Sequence, residues 1–426
     1  MPIDAGPILF SNARIFDGHS PFLSEPSFVV VRGDRIESVS ARRPDALDFR
    51  EVDLGGMSLL PGLIDAHFHA FATETDTAKC ETYPKTYEAQ RARLILEAAL
   101  RRGFTSVRDV GGGDHGTWLA AEQGLFASPR LFFCGRAFSQ TGGHGDARVP
   151  HEQAELCGCT PRGALADLVD GADALRKAAR EALRQGAHHL KLFLSGGIST
   201  PSDPIDYQQF SDDEIAAVVD EASRRGRYVA AHAYTADSIT RAIRLGVRSI
   251  EHGNLIDVAA AGLVAAAGAF VVPTLATYDA LHRFGRETGA PTHTLEKLAE
   301  VREQGLEAIR ICRAEGVALG FGTDLLGPHH RLQREEFRLR SAVETPFETL
   351  QSATSVNAAL LNMAGSLGEI APGAFADFLV IDGNPLEDIA LLETDSKAVA
   401  QIWSRGRRIE PLAHIALPCQ HEKEVA

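Results

Sequence analysis

At 426 residues, with 44% hydrophobic and 23% charged side chains, the chain has the composition of an ordinary globular enzyme and the length for one large barrel with appendages. Its net charge of -14 argues against nucleic acid or an anionic membrane as partner, because both attract basic surfaces. No apolar run approaches the roughly 20 residues of a membrane span, and the opening residues lack a basic segment followed by an apolar core, so a cytoplasmic location is expected.

Residues 1 to about 56 read as short strands and turns. Ile8–Phe10, Ala13–Phe16 and Ser27–Val31 are apolar and β-branched, and Gly33-Asp34 is a hairpin signal between Arg32 and Arg35. From Leu59 to about residue 360 the texture changes. Candidate strands are Leu59–Ala66, Phe104–Asp109, Leu131–Cys134, His188–Leu194, Tyr228–His232, Ser249–His252, Ala269–Pro273 and Ala318–Thr323. Helical patterns lie between them at Tyr87–Arg102, Arg162–Gln185, Ser211–Arg225, Ala236–Leu245, Val258–Ala267 and Thr294–Glu315. Eight strands each followed by a helical segment predict an α/β fold, a (β/α)8 TIM barrel. After Ala364 the β texture returns, at Gly368–Ala374, Ala376–Ile381, Ala398–Trp403 and Arg405–Arg408. Strands from both chain ends are expected to form one β-sandwich module, giving divisions at 1–58, 59–362 (the barrel), 363–416 and a loose tail at 417–426. Cys80, Cys134, Cys157, Cys159, Cys312 and Cys419 contain no Cys-x-x-Cys pair, which points to free thiols in a reducing compartment.

The polar outliers of this pattern fall at strand ends. Pro61-Gly62-Leu63-Ile64-Asp65-Ala66-His67-Phe68-His69 closes an apolar run with two histidines spaced i, i+2, so both imidazoles face one way. Lys191 stands among apolar neighbours on strand four. Strand five ends in Ala231-His232-Ala233-Tyr234, strand six in Glu251-His252-Gly253, and strand eight in Gly322-Thr323-Asp324. Carboxyl ends of barrel strands meet at one mouth. Taken singly, His232 or His252 fits a hydrogen-bonded barrel histidine, Lys191 a snorkelling side chain and Asp324 a helix cap. Taken together, four histidines, a lysine and an aspartate at strand ends point to a shared metal site.

These motifs resemble those of the amidohydrolase superfamily, over roughly residues 6 to 410. The resemblance implies that His67 and His69 hold a more buried metal, that Lys191 is an N6-carboxylysine bridging two divalent ions, with zinc the candidate, that His232 and His252 hold the second, and that Asp324 is the last ligand. The chemistry is coherent with this. A free ammonium beside two dications is disfavoured, whereas a carbamate is a bidentate bridge. Two close metals share and acidify a water and polarise a carbonyl. Asp324 then moves the proton to the leaving amine.

Arg108–Gly113, Ser139-Gln140-Thr141-Gly142-Gly143-His144-Gly145 and Lys191–Gly197 are similar to the branch of Xaa-Pro dipeptidases and carboxypeptidases that includes ochratoxin-hydrolysing amidases. The expected substrate is a dipeptide, an N-acyl amino acid or an ochratoxin-like amide, cleaved next to its C-terminal amino acid. His144 and Tyr234 are candidate donors to its carbonyl or carboxylate, and a homo-oligomer is expected. No Walker lysine or Rossmann context accompanies the glycines, so they do not indicate phosphate. Gly327–Arg331 reads as a solvated loop or an anion-attracting rim, and Phe71, Tyr278 and Phe321 as a side-chain pocket or as packing. The alternative activity is that of an imidazolonepropionase-like or other cyclic-amide hydrolase or deaminase. Such enzymes often dispense with the strand-four lysine.

Overall fold

A computed structural model of the protein describes residues 6–45, 48–148 and 165–410. Cys157, Cys159, Cys419, the tail from 417 and the start of the helix expected at Arg162 lie outside them.

The chain opens with β1 (Ile8–Ile15), β2 (Ser27–Arg32), β3 (Arg35–Ser40), β4 (Arg50–Asp53) and β5 (Ser58–Pro61). It ends with β16 (Phe378–Ile381), β17 (Val399–Ser404) and β18 (Arg407–Ile409). These eight strands share one sheet in the order β18-β17-β16-β5-β1-β2-β3, with β4 added on β1, so the two chain ends are joined by backbone hydrogen bonds. Gly33, at φ 63°, supplies the left-handed turn that pairs Arg32 with Arg35, as the Gly-Asp signal predicts. Phe10 sits edge-to-face on Phe378 and Trp403, with ring centroids 5.5 and 4.9 Å away, which cross-packs the N-terminal and C-terminal strands.

Between the two ends run β6 (Leu63–Phe68), β7 (Phe104–Asp109), β8 (Arg130–Phe133), β9 (Ala137–Ser139), β10 (Ala166–Leu168), β11 (Leu190–Phe193), β12 (Val229–Thr235), β13 (Ser249–Leu255), β14 (Phe270–Val272) and β15 (Ala318–Leu319). All pairs among them are parallel. The run β6-β7-β8 meets the run from β11 to β15 at two seams. His188 N donates to Phe133 O at 2.8 Å on one side, and Ala66 N to Phe321 O at 2.8 Å on the other. The circuit closes as a (β/α)8 barrel. Its strands are buried on both faces and therefore read as continuous apolar runs, not alternating ones.

Outside pack α1 (Lys85–Arg101), α2 (His115–Glu122), α3 (Ala172–Arg184), α4 (Asp212–Ser223), α5 (Ala236–Arg244), α6 (Val258–Ala266), α7 (Leu275–Phe284), α8 (Thr292–Arg302) and α9 (Gly305–Ala314). Four of the starts carry side-chain caps, Asp114 on α2 among them. Ser211 and Glu214 form a capping box on α4, and Thr235 and Asp257 cap α5 and α6.

Four local expectations need correction. The apolar run from Leu59 is two strands. Gly62 breaks it, donating to Asp377 O at 2.8 Å, so Ser58–Pro61 joins the end sheet and only Leu63 onward joins the barrel. A Cβ on Gly62 would meet Thr105 Oγ1 at 2.0 Å, which is why glycine stands there. The helix expected to begin at Arg162 begins at Ala172, because Ala166–Leu168 instead pairs with β9. Thr294–Glu315 is two helices, α8 and α9, and α7 precedes them unforeseen. Gly368–Ala374 is a turn region, not a strand. Cys80, Cys134 and Cys312 are buried free thiols, as expected.

Candidate active site

His67 ends β6 and His69 follows it, while Asp324 follows β15. The closure seam brings them together, because Asp324 N donates to His67 O at 2.8 Å. Asp324 Oδ1 then lies 3.3 Å from His67 Nε2 and 3.2 Å from His69 Nε2, and one atom from each residue falls within 4.8 Å of the others. The far edges of both rings are committed. His67 Nδ1 pairs with Glu251 Oε2 at 2.8 Å, and His69 Nδ1 with Gly111 O at 3.0 Å. Outward donation from Nδ1 turns the Nε2 lone pairs toward Asp324. Three electron-pair donors facing one another form an arrangement that a cation stabilises, so the residues present fit a divalent metal.

The other half of the mouth comes from strands five and six. His252 lies with its ring centroid 4.9 Å from that of His67, and His232 lies 4.7 Å from His252. His252 Nδ1 is bonded to Thr274 Oγ1 at 2.7 Å, which leaves Nε2 free. His232 donates from Nε2 to Gly196 O at 3.0 Å, which leaves Nδ1. Burial, reinforced by neighbouring cations, pushes both rings well below the usual histidine range and favours the neutral form a metal requires. Lys191 is buried on β11 in the same interior. Burial lowers its ammonium to about 8, with Glu251 and Asp324 opposing. Burial would raise the Asp324 carboxyl, but the histidine contacts win and hold it well below the ordinary range. His252 and Asp324 both adopt positive φ, 73° and 52°, a conformation that costs a non-glycine residue about 1–3 kcal/mol and clusters at functional positions.

Beneath this mouth the structure holds groups that sequence reasoning missed. Arg108 Nη2 grips Glu251 at 2.7 and 2.8 Å, with both side chains fully buried, and Glu251 in turn holds His67. Asp65 accepts from His67 N, Thr323 Oγ1 and Gln333 Nε2, which ties β6 to the end of β15. Asp109 accepts from the backbone of Ala70, Gly111 and Gly113. The glycines after Arg108 thus wrap a carboxylate. The signal that could have found these groups is a charged residue inside an otherwise apolar barrel strand.

The two candidate substrate contacts stand beside the His232 half. His144 stacks on His232 with centroids 4.3 Å apart, and its Nδ1 lies 3.3 Å from Asp203 Oδ2. Tyr234 packs edge-on to His232 at 4.8 Å, and its hydroxyl accepts from Tyr278 at 3.1 Å. Tyr278 therefore belongs to the site. Phe321 does not, because it packs between Phe104 and Phe337, and Phe71 lies in the same apolar cluster. The Gly327–Leu332 turn is no solvated rim at its imidazoles. His329 is bonded to Thr288, and His330 is buried against Phe68.

The amidohydrolase family model matches residues 58–409. The chain belongs to the amidohydrolase family. It is a hydrolase acting on amide or peptide C–N bonds. It is 32% identical to the ochratoxinase of Aspergillus niger over 367 residues, which covers 82% of this chain and 75% of that one. Among solved structures it superposes on a prolidase complexed with N-methylphosphonate-L-proline, with a TM-score of 0.93, 45% identity and coverage of 96% and 100% of the two chains. A Xaa-Pro dipeptidase with bound methionine in its active site matches with a TM-score of 0.84 at 29% identity, covering 95% and 100%. No helix among the described residues is long and apolar enough to cross a membrane.

Proposed function

We propose that this amidohydrolase cleaves the amide bond to a C-terminal amino acid, in a dipeptide, an N-acyl amino acid or an ochratoxin-like amide. Two divalent ions, zinc the candidate, would be held by His67, His69, Lys191 as N6-carboxylysine, His232, His252 and Asp324. When bound, the pair supplies a water activated near neutral pH and polarises the scissile carbonyl. The observation that carries this reading is the convergence of His67 Nε2, His69 Nε2 and Asp324 Oδ1 at the mouth of a barrel whose relatives include prolidases.

The chain's own residues do the rest. Asp324, held ionised, takes a proton at its carboxylate and delivers it to the leaving nitrogen. Glu251 and Gly111 O fix the orientation of His67 and His69, so no reorganisation is required during turnover. His144 and Tyr234, side by side against His232, bind the substrate's carboxylate or carbonyl. The same reading takes the chain from Leu63 to about 362 as the catalytic barrel, and the two chain ends, Ser58–Pro61 included, as a separate β module, supported by the sheet that joins both ends.

The test is a panel of dipeptides, N-acyl amino acids and their C-terminal amides, assayed with zinc- and bicarbonate-reconstituted protein. Hydrolysis of acids over amides, with close to two metals per chain, is expected. Turnover of cyclic amides with dipeptides untouched would replace this reading by the cyclic-amide alternative, and full activity at one metal per chain would remove the two-ion part.

A further inference from the structure

The loop between β11 and α4 is tied down from outside the barrel by side chains of α8 and α5. His293 bonds Ser199 O at 3.1 Å, Arg241 bonds Gln209 O and Phe210 O, and Lys297 makes the largest set of contacts. Lys297, on α8, donates from Nζ to three backbone carbonyls of this loop, Gly197 O at 3.0 Å, Thr200 O at 2.8 Å and Asp203 O at 2.6 Å. It also lies 3.4 Å from Asp203 Oδ1. The chain carries seven lysines against thirty-six arginines, so a lysine is a departure from its habit. The geometry accounts for it. A compact ammonium presents three protons from one point, whereas the five donors of a guanidinium diverge in a planar fork.

The loop so gathered encloses His144. Asp203, 1% exposed, accepts from Gly197 N at 2.9 Å and places Oδ2 3.3 Å from His144 Nδ1. Thr200 donates its hydroxyl to His144 O. Gly197 packs flat on the His144 ring, where a Cβ would fall 2.0 Å from a ring carbon. His144 is thereby packed against Gly197 and stacked on His232 at an interplanar angle of 18°, and its Nδ1 edge is filled. Nε2 has no partner among the described residues. The next carbonyl inward, Gly196 O, accepts from His232. Lys297 thus gathers the part of the loop that surrounds the imidazole offered to substrate, without touching Gly196 O itself.

We infer that Lys297 is a positioning residue that holds the β11–α4 loop as a clamp around His144, presenting Nε2 to the carboxylate or carbonyl of the bound substrate. The inference rests on the proposed peptide-like substrate for its catalytic readout only. Lys297 touches no reacting atom. Its loss should weaken substrate binding while leaving the metal-binding group formed at the β6–β15 seam.

The experiment compares the wild-type holoenzyme with Lys297→Met and Asp203→Asn, singly and combined. Steady-state kinetics on the best dipeptide, metal content, and proteinase K cleavage between residues 196 and 206 are measured for each. Lys297→Met should raise KM by about tenfold or more with kcat within about threefold, keep the wild-type metal content and expose the loop to cleavage. The double variant should be little worse than the poorer single one, because both act through the same clamp. An unchanged KM, or a fall in kcat together with metal loss, overturns the inference. If wild-type protein cleaves no peptide-like substrate, the proposed function fails on its own, and the proteolysis still decides: equal loop protection in wild type and Lys297→Met overturns the clamp.

Discussion

The two halves of the barrel mouth are built by different means. On the β6 and β15 side, two imidazoles and a carboxylate converge, and their outer edges are fixed by a buried carboxylate and a strand-end carbonyl on the barrel wall, Glu251 and Gly111 O. On the β12 and β13 side, His232 and His252 are set by a loop carbonyl and a hydroxyl, Gly196 O and Thr274, and the rings stack against His144 and Tyr234. Glu251, fully buried on β13, anchors the first half to the barrel wall, so this half is expected to be the more rigid. The second depends on the loop after β11, which must also admit substrate. On the proposed reading, the first half would hold a metal alone and can be locked, whereas the second would hold metal and substrate and needs an adjustable support.

In the proposed reading Lys191 would join the halves, and removing it is the most drastic way to break the comparison. Lys191→Ala should abolish turnover, and elemental analysis of the purified variant should show loss of metal. Activity within tenfold of wild type would make the lysine structural. Asp324→Asn attacks the rigid half alone. It should slow kcat by about 10²–10⁴-fold, the usual contribution of a general acid-base group, with much of the metal retained by plasma emission analysis.

The adjustable half is sharpened by Tyr234→Phe, which removes a hydroxyl and leaves the ring. The preference for free-acid over C-terminal amide substrates should fall by about tenfold, corresponding to one hydrogen bond of 1–3 kcal/mol. An unchanged ratio of kcat/KM values would detach Tyr234 from the carboxylate.

The smallest effect concerns stability behind the rigid half. Burial lowers His330 to about 3, below the ordinary histidine value near 6.5. The unfolded chain therefore binds the extra proton first, so the contribution is present above about pH 6.5 and is lost as pH falls toward about 3, at up to about 1.4 kcal/mol per pH unit. His330→Phe should narrow the gap between the melting temperatures at pH 7.5 and pH 5. A gap unchanged by the substitution would assign the acid sensitivity to other groups.

Much of this was legible in the sequence. The histidines, lysine and aspartate stand out because polar residues at the ends of apolar runs are costly unless used, and the barrel order brings those ends together. The Gly-Asp hairpin and the starts of α4, α5 and α6 were legible because capping and turn chemistry is local. The strand break at Gly62 was not, since the apolar run is continuous and the cause is Thr105, forty-three positions away in sequence. Nor was the burial of His329 and His330, whose neighbours Gly327, Pro328 and Arg331 look like a loop tip. The division of α8 from α9 is likewise tertiary, because Gly305 is pressed against Leu275, where a Cβ would lie 2.6 Å from a side-chain methyl.

The seam between β6 and β15 has a consequence for the life of the chain. Thr323 Oγ1 reaches Asp65 across 258 positions of sequence, and Asp324, the proposed metal ligand, is the next residue. The first and last barrel strands to leave the ribosome are the ones that complete the site. A nascent or truncated barrel lacking β15 keeps His67 and His69 but has no carboxylate opposite them, and non-local closure of this kind is slow to form. On the proposed reading, metal capture at this position would be a late event in synthesis, and a held metal would mark a chain whose barrel has closed.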